Sequence, residues 1–169
     1  MNIEINKAKP ADAEEMVAIK MLASFVAYVG DTHKITEEDM IVQCGPDAVD
    51  ALEEGLASKK IRGWLVVDKD KGETIGASTA KIKKDKLIFS TMHLLPEYNG
   101  MDLGRMLINE MLKWADERKK DIFLYVVEYN KDRHNWYKRL GFQETTKKEW
   151  VLKSGKTIPR IEMVRRVKN

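Results

Sequence analysis

The chain has 169 residues, with 30 Lys and Arg against 27 Asp and Glu for a formal net charge of +3, and 43% of it is hydrophobic. That length suits one domain with its own core, residues 1–169, and that hydrophobic share excludes a disordered chain. The charges are interleaved, so clusters such as KIKKDK at 81–86 and RR at 165–166 read as solvated surface, and no nucleic-acid partner is expected.

IEI at 3–5 is a short strand candidate, and Pro10-Ala-Asp starts a helix running to about Tyr28 with Gly30 as its stop. The apolar residues of that helix, Met16, Val17, Ile19, Leu22, Phe25, Val26 and Val29 among them, cover more than one face. It is therefore either deeply packed or lines a cleft, and its breadth hints at a homodimer. TEEDM at 36–40 and PDAVDALEEGLA at 46–57 read as further helices, the second with Ala48, Val49, Leu52 and Leu56 on one side. The period then changes. GWLVVD at 63–68 is a buried strand, Asp68 to Gly72 a turn, TIGASTAKI at 74–82 an antiparallel return, and KLIFSTMHLL at 86–95 a strand stopped by Pro96. Leu103 to Arg118 is a helix whose Met106, Leu107, Met111, Trp114 and Ala115 face one way, widened by Ile108 and Leu112. IFLYVV at 122–127 reads as a strand buried on both faces, and DRHNWYKRL at 132–140 as a short helix closed by Gly141. FQETTKKEWVLK and IPRIEMVRRV, joined by SGKT, form a final hairpin. The strand–helix–strand stretch from 86 to 127 implies one parallel pair with a right-handed crossover, set in a mixed sheet of α/β class.

Cys44 is the only cysteine, which excludes an internal disulfide, and His33, His93 and His134 show no metal-ligand spacing, so no metal is expected. The first residues are too charged for a signal peptide, and no apolar run is long enough to span a membrane. A cytoplasmic protein without a membrane partner is the expectation. The informative stretch is PEYNGMDLGRML at 96–107, where a loop with Gly100 opens a helix at Gly104. Ligand crevices lie at the carboxyl ends of parallel strands, and amides at a helix start favour an anion. A turn that only caps a helix is the competing reading.

The strand ending in MHLLPEYNG, the glycine-opened helix and NKDRHNWYKRLGF together resemble the GNAT N-acetyltransferase superfamily. Its members carry Gln/Arg-x-x-Gly-x-Gly/Ala at this turn, then Asn, Tyr seven residues on, and Gly-Phe; here these are Asn130, Tyr137, Gly141 and Phe142. IFLYVVEYNKDRHNWYKRLGF and the C-terminal hairpin resemble bacterial polyamine acetyltransferases of the PaiA type. The resemblance implies a largely antiparallel sheet of six to seven strands, one central parallel pair, and helices on both faces. It implies acetyl-CoA as co-substrate. The diphosphate would sit at Asn99, Gly100, Met101, Asp102, Leu103, Gly104 and Arg105, and the pantetheine arm would lie along Met92, His93 and Leu94 in a wedge beside the 122–127 strand. An N–H near Leu94 would polarise the thioester, and Asn130 would bond CoA amides or cap a helix.

The signature is broken at Asn99 and at Asp102, which stands where the family has its central glycine. An Asp here can cap the helix, for roughly 1 kcal/mol, through the same amides a phosphate would use. Its charge about 5 Å from a phosphate would cost roughly 3 kcal/mol at an effective dielectric near 20. Tyr137 is the candidate acid for the departing thiolate, or else a core aromatic beside Trp136. The position that is glutamate in PaiA-type enzymes is Ser90, followed by Thr91, and neither is a carboxylate. Glu128 is the nearest alternative base, His93 another, and water a third route. Acidic residues at 36–40 and Glu53-Glu54 are the candidates for attracting a polyamine. The leading expectation is transfer of acetyl to a primary amine (polyamine, small amine or peptide amine) by direct attack in a ternary complex. The alternative is a catalytically impaired module that binds CoA weakly or acts through a protein partner.

Overall fold

Local chemistry sets the N-terminal elements. The amide of Lys9 donates to Asp12 Oδ2 at 2.6 Å, fixing a 3-10 turn at Pro10–Asp12 that leads from β1 (Ile3–Lys7) into α1 (Ala13–Tyr28). A reciprocal capping box starts α2 (Glu37–Gln43): Asp39 N–H donates to Thr36 Oγ1 at 3.2 Å and Thr36 N–H to Asp39 Oδ2 at 2.7 Å. Pro46 opens α3 (Pro46–Ala57), where a missing N–H costs nothing. The computed structural model describes residues 1–30, 34–90 and 92–167, so His33 and Thr91 lie outside the described residues.

The remaining elements are β2 (Ile61–Asp68), β3 (Glu73–Ile82), β4 (Lys86–Phe89), β5 (His93–Leu94), α4 (Leu103–Asp116), β6 (Asp121–Val127), α5 (Lys131–Arg139), β7 (Gln143–Val151) and β8 (Thr157–Arg165). Among the described residues the sheet has 8 strands in the order β1-β2-β3-β4-β6-β8-β7, with β5 paired to β3 off that path. Among these strands only β4 and β6 run parallel, across α4; the other pairs among the described residues are antiparallel. The mixed sheet is as expected, but its strand count is not. The predicted strand at 86–95 is two pieces, β4 and β5. Ser90 marks the break: its Oγ accepts the Thr79 N–H at 2.8 Å, and Ser90 N–H donates to the Thr79 carbonyl at 2.8 Å. A side chain spent on the neighbouring backbone competes with the ladder.

Alternation along β2 puts Trp64 and Val66 on one face and Leu65 on the other. The first face carries the main core, where α4 contributes Leu103, Leu107, Ile108, Met111 and Ala115, and Trp114 meets Trp64 edge-on at 5.1 Å. Met106, expected on this face, is 42% exposed, because the buried arc runs through Leu103, Leu107 and Met111. On the other face, Met16 and Ile19 of α1 and Leu56 of α3 pack against Leu65 and Ala77. A third cluster joins Ile35 and Met40 to Leu152 and Ile158 of the final hairpin, and Lys156 Nζ donates to Asp39 Oδ2 at 2.6 Å. No helix among the described residues is long and apolar enough to cross a membrane.

Candidate active site

The loop between β5 and α4 is pinned before it turns. Tyr98 is buried, and Lys71 Nζ donates to its hydroxyl at 2.7 Å. Gly100 then takes φ +83°, which a side chain would resist, and Asp102 takes φ 58° in the left-handed region that Asp tolerates. The Asp102 side chain makes no capping bond; it is exposed and faces Arg105 at 3.9 Å. No hydrogen bond from the amides of Gly100, Met101, Asp102, Leu103 or Gly104 is present among the described residues. The Arg105 amide donates to the Asp102 carbonyl at 3.0 Å, so Arg105 offers this turn its side chain rather than its N–H. A Cβ built on Gly100 or Gly104 meets nothing within 4 Å, so the chain is uncrowded at both glycines. The turn is therefore a helix start with its first amides unspent rather than a capped end, and such a start favours an anion.

Beside it lies a cleft of about 150 Å³. Met92, His93, Leu94, Asn99 and Gly104 form one wall; Tyr125, Val126 and Val127 of β6 form the other. The cleft exists because β4 and β6 pair only at 86–88 with 121–123, after which β5 follows β3 away from β6. Leu95 N–H donates to the Ile75 carbonyl of β3 at 2.9 Å. Successive amides of a strand point in opposite directions, so the Leu94 N–H faces the cleft. Ala23, Val26 and Ala27 of α1 cover it, which accounts for part of that helix's apolar breadth.

Tyr137 also lines this cleft, with its ring packed on Trp136 and Phe142. Burial pushes its phenol up to about 12, so the hydroxyl keeps its proton throughout the working range. Asn130 lines the cleft and caps α5, its Oδ1 accepting the Arg133 N–H at 3.1 Å. Both readings of that residue are thus compatible, since its amide NH₂ is not used by the cap. Glu128 borders neither this cleft nor the adjoining chamber; Lys147 pairs with its carboxylate and holds its pKa below the usual value. His134, by contrast, is a buried structural residue, its ring between the Glu144 carboxylate and the Val127 carbonyl.

A second chamber of about 460 Å³ adjoins the cleft, and Tyr28, His93, Tyr125 and Val127 border both. Burial, reinforced by Lys20 and Arg133, pushes the His93 imidazole down to about 3, so it is neutral at physiological pH. Lys20, Lys81 and Arg160 line the second chamber. The acidic residues expected to attract a polyamine lie elsewhere: Asp39 is spent on Thr36 and Lys156, and Glu54 borders a separate surface hollow. Sequence reasoning missed Tyr28, Tyr125, Arg133 and Arg160. A legible signal existed for two of them: Tyr125 is the polar member of an apolar strand, and Arg160 alternates with Ile158 on a face otherwise suited to burial. Among the described residues no group of three or more His, Cys, Asp or Glu is placed to hold a metal ion.

A mixed sheet splayed beside its parallel pair, with unspent amides at the mouth of the splay, puts a ligand crevice next to a helix start that favours an anion. The family model of the acetyltransferase (GNAT) family matches residues 30–142, and the chain belongs to that family. No curated protein matches it in sequence. Among solved structures it is similar to the PaiA N-acetyltransferase of Thermoplasma acidophilum in complex with coenzyme A, at 19% identity over 98% of this chain and 99% of that one, with a TM-score of 0.73. It is similar also to yncA of Salmonella typhimurium with its cofactor acetyl-CoA, at 16% identity over 100% and 96% of the two chains, TM-score 0.72. A third similar structure is the ribosomal-protein-S18-alanine N-acetyltransferase of Escherichia coli, at 16% identity over 99% and 96%, TM-score 0.69. At these identities the likeness is one of fold.

Proposed function

We propose that the protein transfers acetyl from acetyl-CoA to a primary amine by direct attack in a ternary complex. The observation that carries this reading is the set of five unspent amides at residues 100–104 beside an open cleft. Acetyl-CoA supplies the activated acetyl group as a thioester. The amides of Gly100 to Gly104 hold its diphosphate, and the walls at Met92 to Leu94 and Tyr125 to Val127 exclude water from its arm. The Leu94 N–H donates to the reacting carbonyl oxygen, where charge develops. Tyr137 gives its proton to the departing sulfur, which needs a phenol that is not already ionised.

The amine must arrive neutral. No carboxylate lines either chamber among the described residues, and the cations of the second chamber disfavour an ammonium there. The ammonium proton is therefore lost to water on entry, and neutral His93 accepts a hydrogen bond from the amine at the junction. As the C–N bond forms and the C–S bond breaks, the proton shed by the nitrogen passes to water, which returns one to the Tyr137 phenolate. The absence of a cysteine from both chambers supports direct attack over an acetyl-enzyme. The test is thermal unfolding with CoA, followed by thiol release from acetyl-CoA across a panel of amines. At a hundred times its dissociation constant, a ligand adds about 2.7 kcal/mol of stability. No shift at millimolar CoA would sink the proposal.

A further inference from the structure

We propose that the acceptor carries a carboxylate as well as its amine, and that Lys20, Lys81 and Arg160 recognise that anion; this rests on the acetyl-transfer reading above. The three cations come from α1, β3 and β8 and line one chamber, which has no Asp or Glu in its wall among the described residues. None of them is in an ion pair among the described residues. Glu162 shares the Arg160 side of β8, but its carboxylate accepts from Tyr125 OH at 3.2 Å and from Thr145 Oγ1 at 2.9 Å, and it does not border the chamber.

Two buried polar atoms in this wall lack a hydrogen-bond partner among the described residues: Ser24 Oγ and Arg160 Nε. Buried polar groups are normally satisfied, and an anion against this wall would give both a partner; Arg62 Nε, away from the chamber, is the third such atom among the described residues. The Arg160 guanidinium lies 4.1 Å from the Tyr125 ring centroid, which holds its planar fork in place. That fork matches a carboxylate through two parallel bonds.

The chamber also has direction. Lys20, Ser24 and Tyr28 recur every four residues on one side of α1 and all line it, with Tyr28 at the junction with the donor cleft. Lys20 is thus about 12 Å from Tyr28 along the helix axis. Arg160 is opposite Val127, another junction residue, in the β6–β8 register. An amine at the junction therefore leaves its carboxylate between Arg160 and Lys20, which suits a small amino acid. A diamine would put its second ammonium among three cations.

The experiment is calorimetric binding to the CoA-loaded protein of 5-aminopentanoate, 5-aminopentanamide and 1,5-diaminopentane, with 4-aminobutanoate and its amide as a second pair. We expect each carboxylate to bind at least about tenfold more tightly than its amide, and the diamine most weakly. Lys20→Met and Arg160→Gln should bring the carboxylate-to-amide ratio towards one with CoA affinity unchanged. Lys81→Met, at an exposed position, should reduce it in a variant whose folding is not in question. Equal or tighter binding of the amides or the diamine overturns the inference, as does failure of every compound to bind while CoA binds. If CoA itself does not bind, the acetyl-transfer reading falls and this one with it.

Discussion

At residue scale, Tyr137 and Asp102 show opposite relations between charge and site. Tyr137 is kept neutral by burial, and its ring is fixed by Trp136 and Phe142. Tyr137→Phe keeps that packing and removes only the transferable proton. Its kcat should fall by roughly a hundredfold, the lower end for general-acid catalysis, with KM for acetyl-CoA unchanged; steady-state thiol release measures both. A variant with full kcat would take the acid role from Tyr137. Asp102 is charged, exposed and turned towards Arg105, so much of its repulsion on a bound diphosphate is screened. Asp102→Asn retains a side chain that tolerates positive φ and should tighten CoA binding about threefold, more at low salt than at high. Calorimetry at two ionic strengths checks this. An unchanged affinity at both would mean that the carboxylate does not feel the diphosphate. Sequence identified the residue that departs from the family pattern, but not the direction of its side chain, which follows from the left-handed backbone at 102.

At the scale of elements, the decisive feature is the break between β4 and β5. A short strand that follows β3 while β6 continues straight leaves a cleft between them. Gly76 permits the close approach of β5 to β3: a Cβ there would meet Leu94 Cδ2 at 2.5 Å and the His93 carbonyl oxygen at 3.0 Å. Gly76→Ala should therefore push β5 towards the cleft, destabilise the fold by about 1–3 kcal/mol, as overpacking does, and weaken CoA binding. Urea unfolding and calorimetry together test it; a stable variant with normal CoA affinity would show that the β3–β5 spacing does not set the cleft. Apolar patterning could not reveal the break, because KLIFSTMHLL satisfies a strand pattern throughout, whereas the Thr79 N–H is taken by Ser90 Oγ instead of a ladder carbonyl. The helices were legible, since α2, α3 and α4 carry their own starting signals in Thr36, Pro46 and the glycine-rich turn.

For the whole molecule, the junction of the two chambers also couples stability to pH. His93 titrates at about 3 in the folded protein and near 6.5 when unfolded. Between those values the unfolded chain binds more protons, so stability falls as pH drops through that window. From pH 7 to pH 5 the unliganded protein should lose at most about 2 kcal/mol through this group, a loss absent in His93→Gln; urea unfolding at the two pH values tests it. Identical pH slopes for the two proteins would show that His93 is not the source. The sequence by itself determined most of the element order and the parallel crossover, because periodicity, caps and glycines act over a few residues, while the roles expected of the turn at 99–105 and of Asn130 and Tyr137 rested on the family resemblance. The tertiary structure alone decided that Glu128 is paired outside the site and that Lys20, Lys81 and Arg160, far apart in the chain, share one chamber. Charge at a distance in sequence has no local signature; only the register of β6 with β8 and the packing of α1 on β3 bring those cations together.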